Sequence, residues 1–144
     1  MIHITCRHSI AIAHRIFEYD GSCERLHGHN YRIEIGISAG ALDSLGMIAD
    51  FRVVKKTLYQ ALDEAWDHRT LLQDKDPLCA SLQKILTDGS VCPVPFNPTA
   101  ENMAAYLATS LFPDALEKAG MGTLKVCFVT VFETDKNSAT WTSD

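Results

Sequence analysis

The 144-residue sequence lacks a long hydrophobic run, a basic block and a regular cysteine framework. No apolar stretch approaches the roughly 20 residues that a membrane-spanning helix needs, so we expect no membrane association. The net charge of −5, without clustered Lys or Arg, argues against non-specific nucleic-acid binding. Five cysteines at irregular spacing indicate free thiols in a reducing compartment rather than a disulfide scaffold.

The N-terminal stretch MIHITCRHSI carries charged and polar side chains within its first eight positions and has no signal-peptide core. Together with the free thiols, this predicts a cytoplasmic protein. The sequence has no internal repeat and no low-complexity tract, and its length suits one domain with a substantial core. We therefore expect a single domain over residues 1–144.

Two segments alternate apolar and polar side chains with the period of a half-buried β-strand. They cover residues 2–16 and 27–38. His14 is in phase with the isoleucines of the first segment, and His27 and His29 are in phase with the apolar face of the second. The connection between the segments contains Asp-Gly and Ser, which indicates a loop. The sequence thus places three histidines at the ends of two apolar strand faces.

Capping signals predict the helices. Asp50 precedes a helical apolar pattern over 51–66, and Thr99 precedes a second over about 100–112. An Asp-Pro pair at 76–77 indicates the start of a shorter helix.

The last long apolar segment, 124–133, is hydrophobic on both parities, and we expect the stretch PDALEKAGMG before it to be a loop. A strand of this type is covered on both faces. Two helices cover only one face of a small sheet, so we expect a partner subunit to cover the other face. The architecture we predict is one α+β domain with an antiparallel sheet and two main helices.

The three in-phase histidines suit zinc, which takes imidazole nitrogens in a tetrahedral shell. If the two strands pair as a hairpin, His14 joins His27 and His29, and a fourth position stays open for water or substrate. An H-x-H pair alone is common by chance. A second interpretation is a closed structural site in which Cys23 is the fourth ligand.

Asp67 and His68 are a candidate acid/base pair, because a neighbouring carboxylate raises the basicity of an imidazole and selects its tautomer. An isolated Asp-His dipeptide more often has no such role. Glu133, at the end of an apolar strand, is costly to bury without a partner, and taken alone it is better explained as a solvated strand end.

Six motifs, in order along the chain, resemble the 6-pyruvoyltetrahydropterin synthase and 6-carboxytetrahydropterin synthase family. They are AIAH at 11–14, CERLHGHNY at 23–31, GMIADF at 46–51, DH at 67–68, PTAEN at 98–102 and FET at 132–134. Each motif alone is weak, but the ordered set spans nearly the whole chain.

The resemblance implies a role for each matching residue. His14, His27 and His29 match the zinc ligands of the family. Cys23 matches the catalytic cysteine, and Asp67 and His68 match the acid/base pair that works with it. Glu133 matches the carboxylate that anchors the pterin, and Thr99 and Glu101 match neighbouring pocket residues. It also implies the tunnelling (T-fold) architecture, a four-stranded antiparallel sheet with two helices on one face. Such domains assemble into an oligomeric barrel, typically a hexamer, with active sites at subunit interfaces.

The spacing C-x3-H-G-H resembles the 6-carboxytetrahydropterin synthases of queuosine biosynthesis (QueD), which act on 7,8-dihydroneopterin triphosphate. The alternative is a 6-pyruvoyltetrahydropterin synthase, which only eliminates triphosphate and rearranges the side chain. A structural zinc protein and an inactive pterin-binding relative are more remote interpretations. Two features depart from the family pattern, the run DHRTLLQ and a long segment over 73–98. The sequence does not identify the side chains that would bind the triphosphate; the candidates are Arg25, Arg32, Lys55 and Arg69.

Overall fold

The two longest strands pair along their full length in the computed structural model, which describes residues 1–144. Strand β1 (Ile4–His14) and strand β2 (His27–Ser38) are antiparallel, with Ile4 opposite Ile37 and His14 opposite His27. The predicted hairpin is confirmed, although its first strand is shorter at both ends than the predicted 2–16.

Four shorter strands complete the sheet: β3 (Arg69–Gln73), β4 (Val91–Val94), β5 (Lys125–Phe132) and β6 (Ser138–Thr142). Their order is β4-β3-β1-β2-β5-β6. Strand β3 runs parallel to β1, and β4 parallel to β3, while the other pairs are antiparallel. The expected four-stranded antiparallel sheet is therefore wrong, because the sheet is mixed and has six strands. Strands of four and five residues, one of them an edge strand with a proline, are too short to show a periodic pattern.

Helix α1 (Phe51–Trp66) begins as predicted, with the Asp50 carboxylate accepting a hydrogen bond from the Arg52 amide at 2.7 Å. Helix α2 (Pro77–Ile85) likewise begins after Asp76. No helix is both long and apolar enough to cross a membrane.

The last helical segment is longer than predicted. It begins as helix α3 (Ala100–Tyr106), passes through a π-helical stretch (Leu107–Leu111) and continues as helix α4 (Phe112–Lys118). Proline usually ends a helix because it lacks an N–H and clashes with the carbonyl four residues earlier. The wider π turn comes directly before the turn that holds Pro113, so the predicted loop at PDALEKAGMG is helical as far as Lys118.

The core lies between one face of the sheet and the helices α1 and α3–α4. Ile33, Ile35, Leu58, Leu62 and Phe112 are completely buried in it. Each such side chain contributes roughly 1.5–3 kcal/mol.

The other face of the sheet is partly covered by the chain itself. The rings of His3 and Phe128 form a T-shaped pair with centroids 5.3 Å apart, and the Arg32 guanidinium lies 3.9 Å from the centre of the Phe132 ring. Coverage of the rest by a partner subunit stays a prediction.

An ion pair fastens the end of β1 to the start of α2. The Asp76 side chain is fully buried and accepts two hydrogen bonds from the Arg15 guanidinium, one of them from Nε at 2.6 Å. Oδ1 of Asp76 also accepts a hydrogen bond from the Leu78 amide at 2.8 Å. The hydrogen bond from Arg15 lowers the pKa of Asp76 more than burial raises it. The ionised carboxylate is therefore the stable form in the folded protein.

Replacing Asp76 with Asn should lower the free energy of unfolding by about 3 kcal/mol, because it leaves Arg15 without its anionic partner. The wild-type contribution is present above the ordinary carboxyl pKa of 3.8 and is lost as the pH falls through the lowered folded value. Urea unfolding between pH 2 and 7 checks both points, with Asp114→Asn at an exposed site as the control. Equal stability of Asp76→Asn and wild type at pH 7 would contradict the assignment.

Candidate metal centre and active site

The β1–β2 register brings three histidine rings together at one end of the hairpin. His14 lies opposite His27, and His29 projects from the same face two residues further along β2. The ring centroids of His14 and His27 are 4.7 Å apart, and those of His27 and His29 are 4.9 Å apart. One ring nitrogen from each histidine lies within 4.8 Å of the other two, a spacing that could hold a metal ion.

Backbone carbonyls select the tautomers of two of these rings. Nδ1 of His14 donates to the Pro98 carbonyl at 2.7 Å, and Nδ1 of His27 donates to the Arg25 carbonyl at 2.6 Å. Because a carbonyl only accepts, the proton belongs on Nδ1 and the lone pair on Nε2. This is the outer-shell arrangement that orients histidine ligands in metal proteins.

His29 gives the clearest sign that the site fits a metal. Its Nε2 is buried and has no hydrogen-bond partner. Glu133 Oε1 lies 3.5 Å from it but makes no hydrogen bond. A buried unpaired nitrogen is costly unless something coordinates it, so the donor set of this site suits a metal ion.

Burial lowers the pKa of His14, and the neighbouring His27 lowers it further, against the opposing effect of the Pro98 hydrogen bond. The neutral imidazole, which is the form that binds a metal, is therefore favoured.

Sequence reasoning placed Tyr31 only in the apolar face of β2, yet its hydroxyl lies 3.0 Å from Nε2 of His14. Tyr31 is fully buried, and this burial raises the pKa of its hydroxyl, so the hydroxyl stays protonated beside the histidine group. Its phase with His27 and His29 was the signal that would have placed it in the site.

A cavity of about 310 Å³ opens beside His14. It brings together five of the predicted residues: His14, Cys23, Thr99, Glu101 and Glu133. The sequence did not indicate the other lining residues, among them Tyr19, Asn137 and Ser138. Its volume is at the lower end of the range for small-molecule sites.

Different elements position the walls of this cavity. Cys23 lies on a 3₁₀ turn (Ser22–Glu24) in the β1–β2 loop, and Glu133 directly follows β5. Thr99 is the N-cap of α3, and its hydroxyl accepts a hydrogen bond from the Asn102 amide at 3.2 Å. A thiol, a hydroxyl and carboxylates therefore face one space next to the candidate metal centre.

Asp67 and His68 form the predicted pair, but neither residue lines the cavity that contains Cys23. Asp67 Oδ2 is 2.9 Å from Nδ1 of His68, and its Oδ1 accepts from the Ala11 amide at 2.9 Å. Burial opposes ionisation of Asp67, but the hydrogen bonds from Ala11 and His68 outweigh it and lower the pKa of the carboxyl. His68 has a left-handed backbone, with φ of 57°, and a side chain 82% exposed.

His68 lines a second cavity, of about 440 Å³, together with His29, Asn30 and Arg69. Cys23 does not line this cavity. A single chain therefore does not bring His68 and Cys23 into one space.

The cavity that contains Cys23 has no Lys or Arg in its walls. Among the cations that the sequence left open, Arg32 lies against Phe132, and Lys55 Nζ is 5.8 Å from the centre of the Phe51 ring. Arg69 donates to the Gly89 carbonyl at 2.8 Å and lines the second cavity next to His68.

Comparisons with known proteins identify the family of this chain. A family model described as 6-pyruvoyl tetrahydropterin synthase matches residues 3–144. The chain is 37% identical over 113 residues to the 6-carboxy-5,6,7,8-tetrahydropterin synthase of Rickettsia conorii, an alignment that covers 78% of this chain and 82% of the relative. It is 38% identical over 125 residues to a probable 6-carboxy-5,6,7,8-tetrahydropterin synthase of Halobacterium salinarum, covering 87% and 76% of the two chains.

The fold agrees as well. The structure of Caenorhabditis elegans 6-pyruvoyl tetrahydropterin synthase, 24% identical, matches with a TM-score of 0.69 over 99% of this chain and 96% of that chain. The order of motifs, the fold and the family match lead to one conclusion: the chain belongs to the 6-pyruvoyl tetrahydropterin synthase family.

Proposed function

We propose that this protein is a zinc-dependent 6-carboxy-5,6,7,8-tetrahydropterin synthase of queuosine and 7-deazapurine biosynthesis. It converts 7,8-dihydroneopterin triphosphate to 6-carboxytetrahydropterin, acetaldehyde and triphosphate. The observation that carries this proposal is a three-histidine group whose buried member, His14, lines one cavity together with Cys23 and Glu133. Two relatives at 37% and 38% identity with the carboxy-type name support this product.

His14, His27 and His29 hold the zinc ion in this proposal. Zinc, when bound, supplies Lewis acidity to the oxygens of the substrate side chain. Cys23 lies outside the group whose ligand atoms are within 4.8 Å of one another. This favours an open three-ligand site over the closed structural site that includes Cys23.

Cys23 and Glu133 act on the two parts of the substrate. The Cys23 thiol, on the cavity wall, exchanges protons with carbons of the side chain. The Glu133 carboxylate, whose side chain is 27% exposed, accepts two hydrogen bonds from the 2-amino and N3–H edge of the pterin. Thr99 and Glu101 complete the same pocket.

The complementary acid/base pair comes from a second copy of the chain. His68, oriented by Asp67, is exposed and lines a cavity without Cys23, which supports a contact between the two across a subunit interface. The active site in this proposal lies between subunits of a homo-oligomer, a hexamer in the family arrangement. Arg69 would arrive with His68 and supply the positive charge that the Cys23 cavity lacks for a triphosphate.

The first test is mass spectrometry of the products after the zinc-loaded protein is given 7,8-dihydroneopterin triphosphate. We expect a 6-carboxypterin species with stoichiometric acetaldehyde. Cys23→Ala should lower turnover by about 10²- to 10⁴-fold, the usual contribution of a general acid/base group. A pyruvoyl product without acetaldehyde would instead indicate the tetrahydrobiopterin-type synthase. Tightly bound zinc without either product would refute the enzyme proposal.

Zinc titration tests the metal centre independently of turnover. His29→Ala should weaken zinc binding by more than about 100-fold, because it removes a direct ligand. His8→Ala, a histidine paired with Asp63 outside the site, should not change zinc affinity. Cys23→Ala should also keep its zinc. Loss of zinc from Cys23→Ala would make Cys23 a ligand and would overturn the mechanism.

Replacing Glu133 with Gln should weaken pterin binding by about 10- to 100-fold, since hydrogen bonds to a charged acceptor are stronger than those to an amide. Fluorescence titration with a pterin measures this directly, and zinc content should not change. Glu64→Gln, on the exposed surface of α1, is the matched control. Unchanged affinity of Glu133→Gln would remove this residue from the pocket.

A further inference from the structure

The loop that carries Cys23 has few attachments to the rest of the protein. Residues 18–22 and 24–26 are exposed, and Cys23 itself is half-buried. Two hydrogen bonds close the loop at its ends, from the Ile16 amide to the Cys23 carbonyl at 2.8 Å and from the His27 ring to the Arg25 carbonyl. Neither bond connects the loop to a distant part of the chain.

Asn97 provides the connection that these bonds do not. Its side-chain Oδ1 accepts a hydrogen bond from the Phe17 amide at 2.9 Å, and its Nδ2 donates to the Phe17 carbonyl at 3.1 Å. The carboxamide thus pairs with both backbone groups of Phe17, as a neighbouring strand would. Apart from the two closing bonds, these are the only hydrogen bonds between residues 17–26 and the rest of the chain.

Asn97 is itself held in place at the start of α3. Its backbone carbonyl accepts hydrogen bonds from the Thr99 amide at 2.7 Å and from the Asn102 side chain at 3.0 Å. The next residue, Pro98, holds the ring of His14 through its own carbonyl. One short segment therefore contacts both a candidate metal ligand and the loop that carries the candidate catalytic thiol.

We propose that Asn97 is a positioning residue that holds the β1–β2 loop so that the Cys23 thiol faces the cavity beside the histidines. Its carboxamide fixes Phe17, and the bond from Ile16 to Cys23 carries this restraint across the loop. The importance of Cys23 for turnover rests on the proposed function. The placement of the loop by Asn97 does not.

The test replaces Asn97 with Ala and follows alkylation of each cysteine by iodoacetamide with peptide mass spectrometry. The loss of two hydrogen bonds should make Cys23 react about tenfold faster or more. The buried Cys6 and Cys79 serve as internal references. Hydrogen exchange of the amides in residues 17–25 should rise in parallel.

Zinc content should stay at the wild-type level, because the Pro98 carbonyl that holds His14 is a backbone group. In the activity assay kcat should fall about tenfold or more while KM changes little, since Glu133 lies on another element. Asn97→Asp keeps the acceptor for the Phe17 amide and loses the donor, so its Cys23 reactivity should lie between wild type and Asn97→Ala. Gln60→Ala, an amide lost on the exposed face of α1, should change none of these values.

Unchanged Cys23 alkylation in Asn97→Ala would overturn the proposal, whatever its activity. Loss of zinc together with faster alkylation would also overturn it, because Asn97 would then support the metal centre. If Asn97→Ala does not fold, hydrogen exchange of the wild type decides. The Phe17 amide should be protected while those of Tyr19 and Asp20 are not, and an unprotected Phe17 amide would refute the assignment. A wild type without turnover would refute the enzyme proposal alone, since alkylation and exchange would still decide the role of Asn97.

Discussion

The register of the β1–β2 hairpin is the constraint on which the candidate site depends. With His14 opposite His27, the three rings share the buried face and lie close enough for one ion. Side chains alternate along a strand, so a slip of one residue would move His27 and His29 to the other face. The buried isoleucines of both strands oppose such a slip, because it would expose them as well. The packing that stabilises the fold therefore also assembles the metal centre.

The segment before α3 adds a second level of order to this site. Its backbone and side chains hold the ring of His14, the Cys23 loop and the first turn of the helix. Such outer contacts fix the tautomer and orientation of ligands before any ion arrives. The unpartnered Nε2 of His29 is a buried polar atom that a bound metal would satisfy.

The position of β3 explains why one chain holds only part of the proposed catalytic set. Asp67 and His68 end α1 and lead into β3, which runs parallel to β1. Their contacts with the backbone of Ala11 leave the His68 ring exposed and away from the cavity of Cys23. The acid/base pair is exposed on one surface, and the Cys23 thiol lies in an acidic cavity on another. This arrangement suits an active site that is shared between two copies of the chain.

The sequence by itself determined the long elements and the histidine group. Strand periodicity and helix capping act over a few residues and are therefore local properties. They include the alternating pattern of β1 and β2, the Asp50 and Asp76 caps, and the phase of His14, His27 and His29. The tertiary structure alone decided the short parallel strands, the contacts of Asn97 with Phe17 and the separation of His68 from Cys23. Each of these depends on a contact between residues far apart in the chain, such as the 80 residues between Phe17 and Asn97, and no local pattern encodes such a contact.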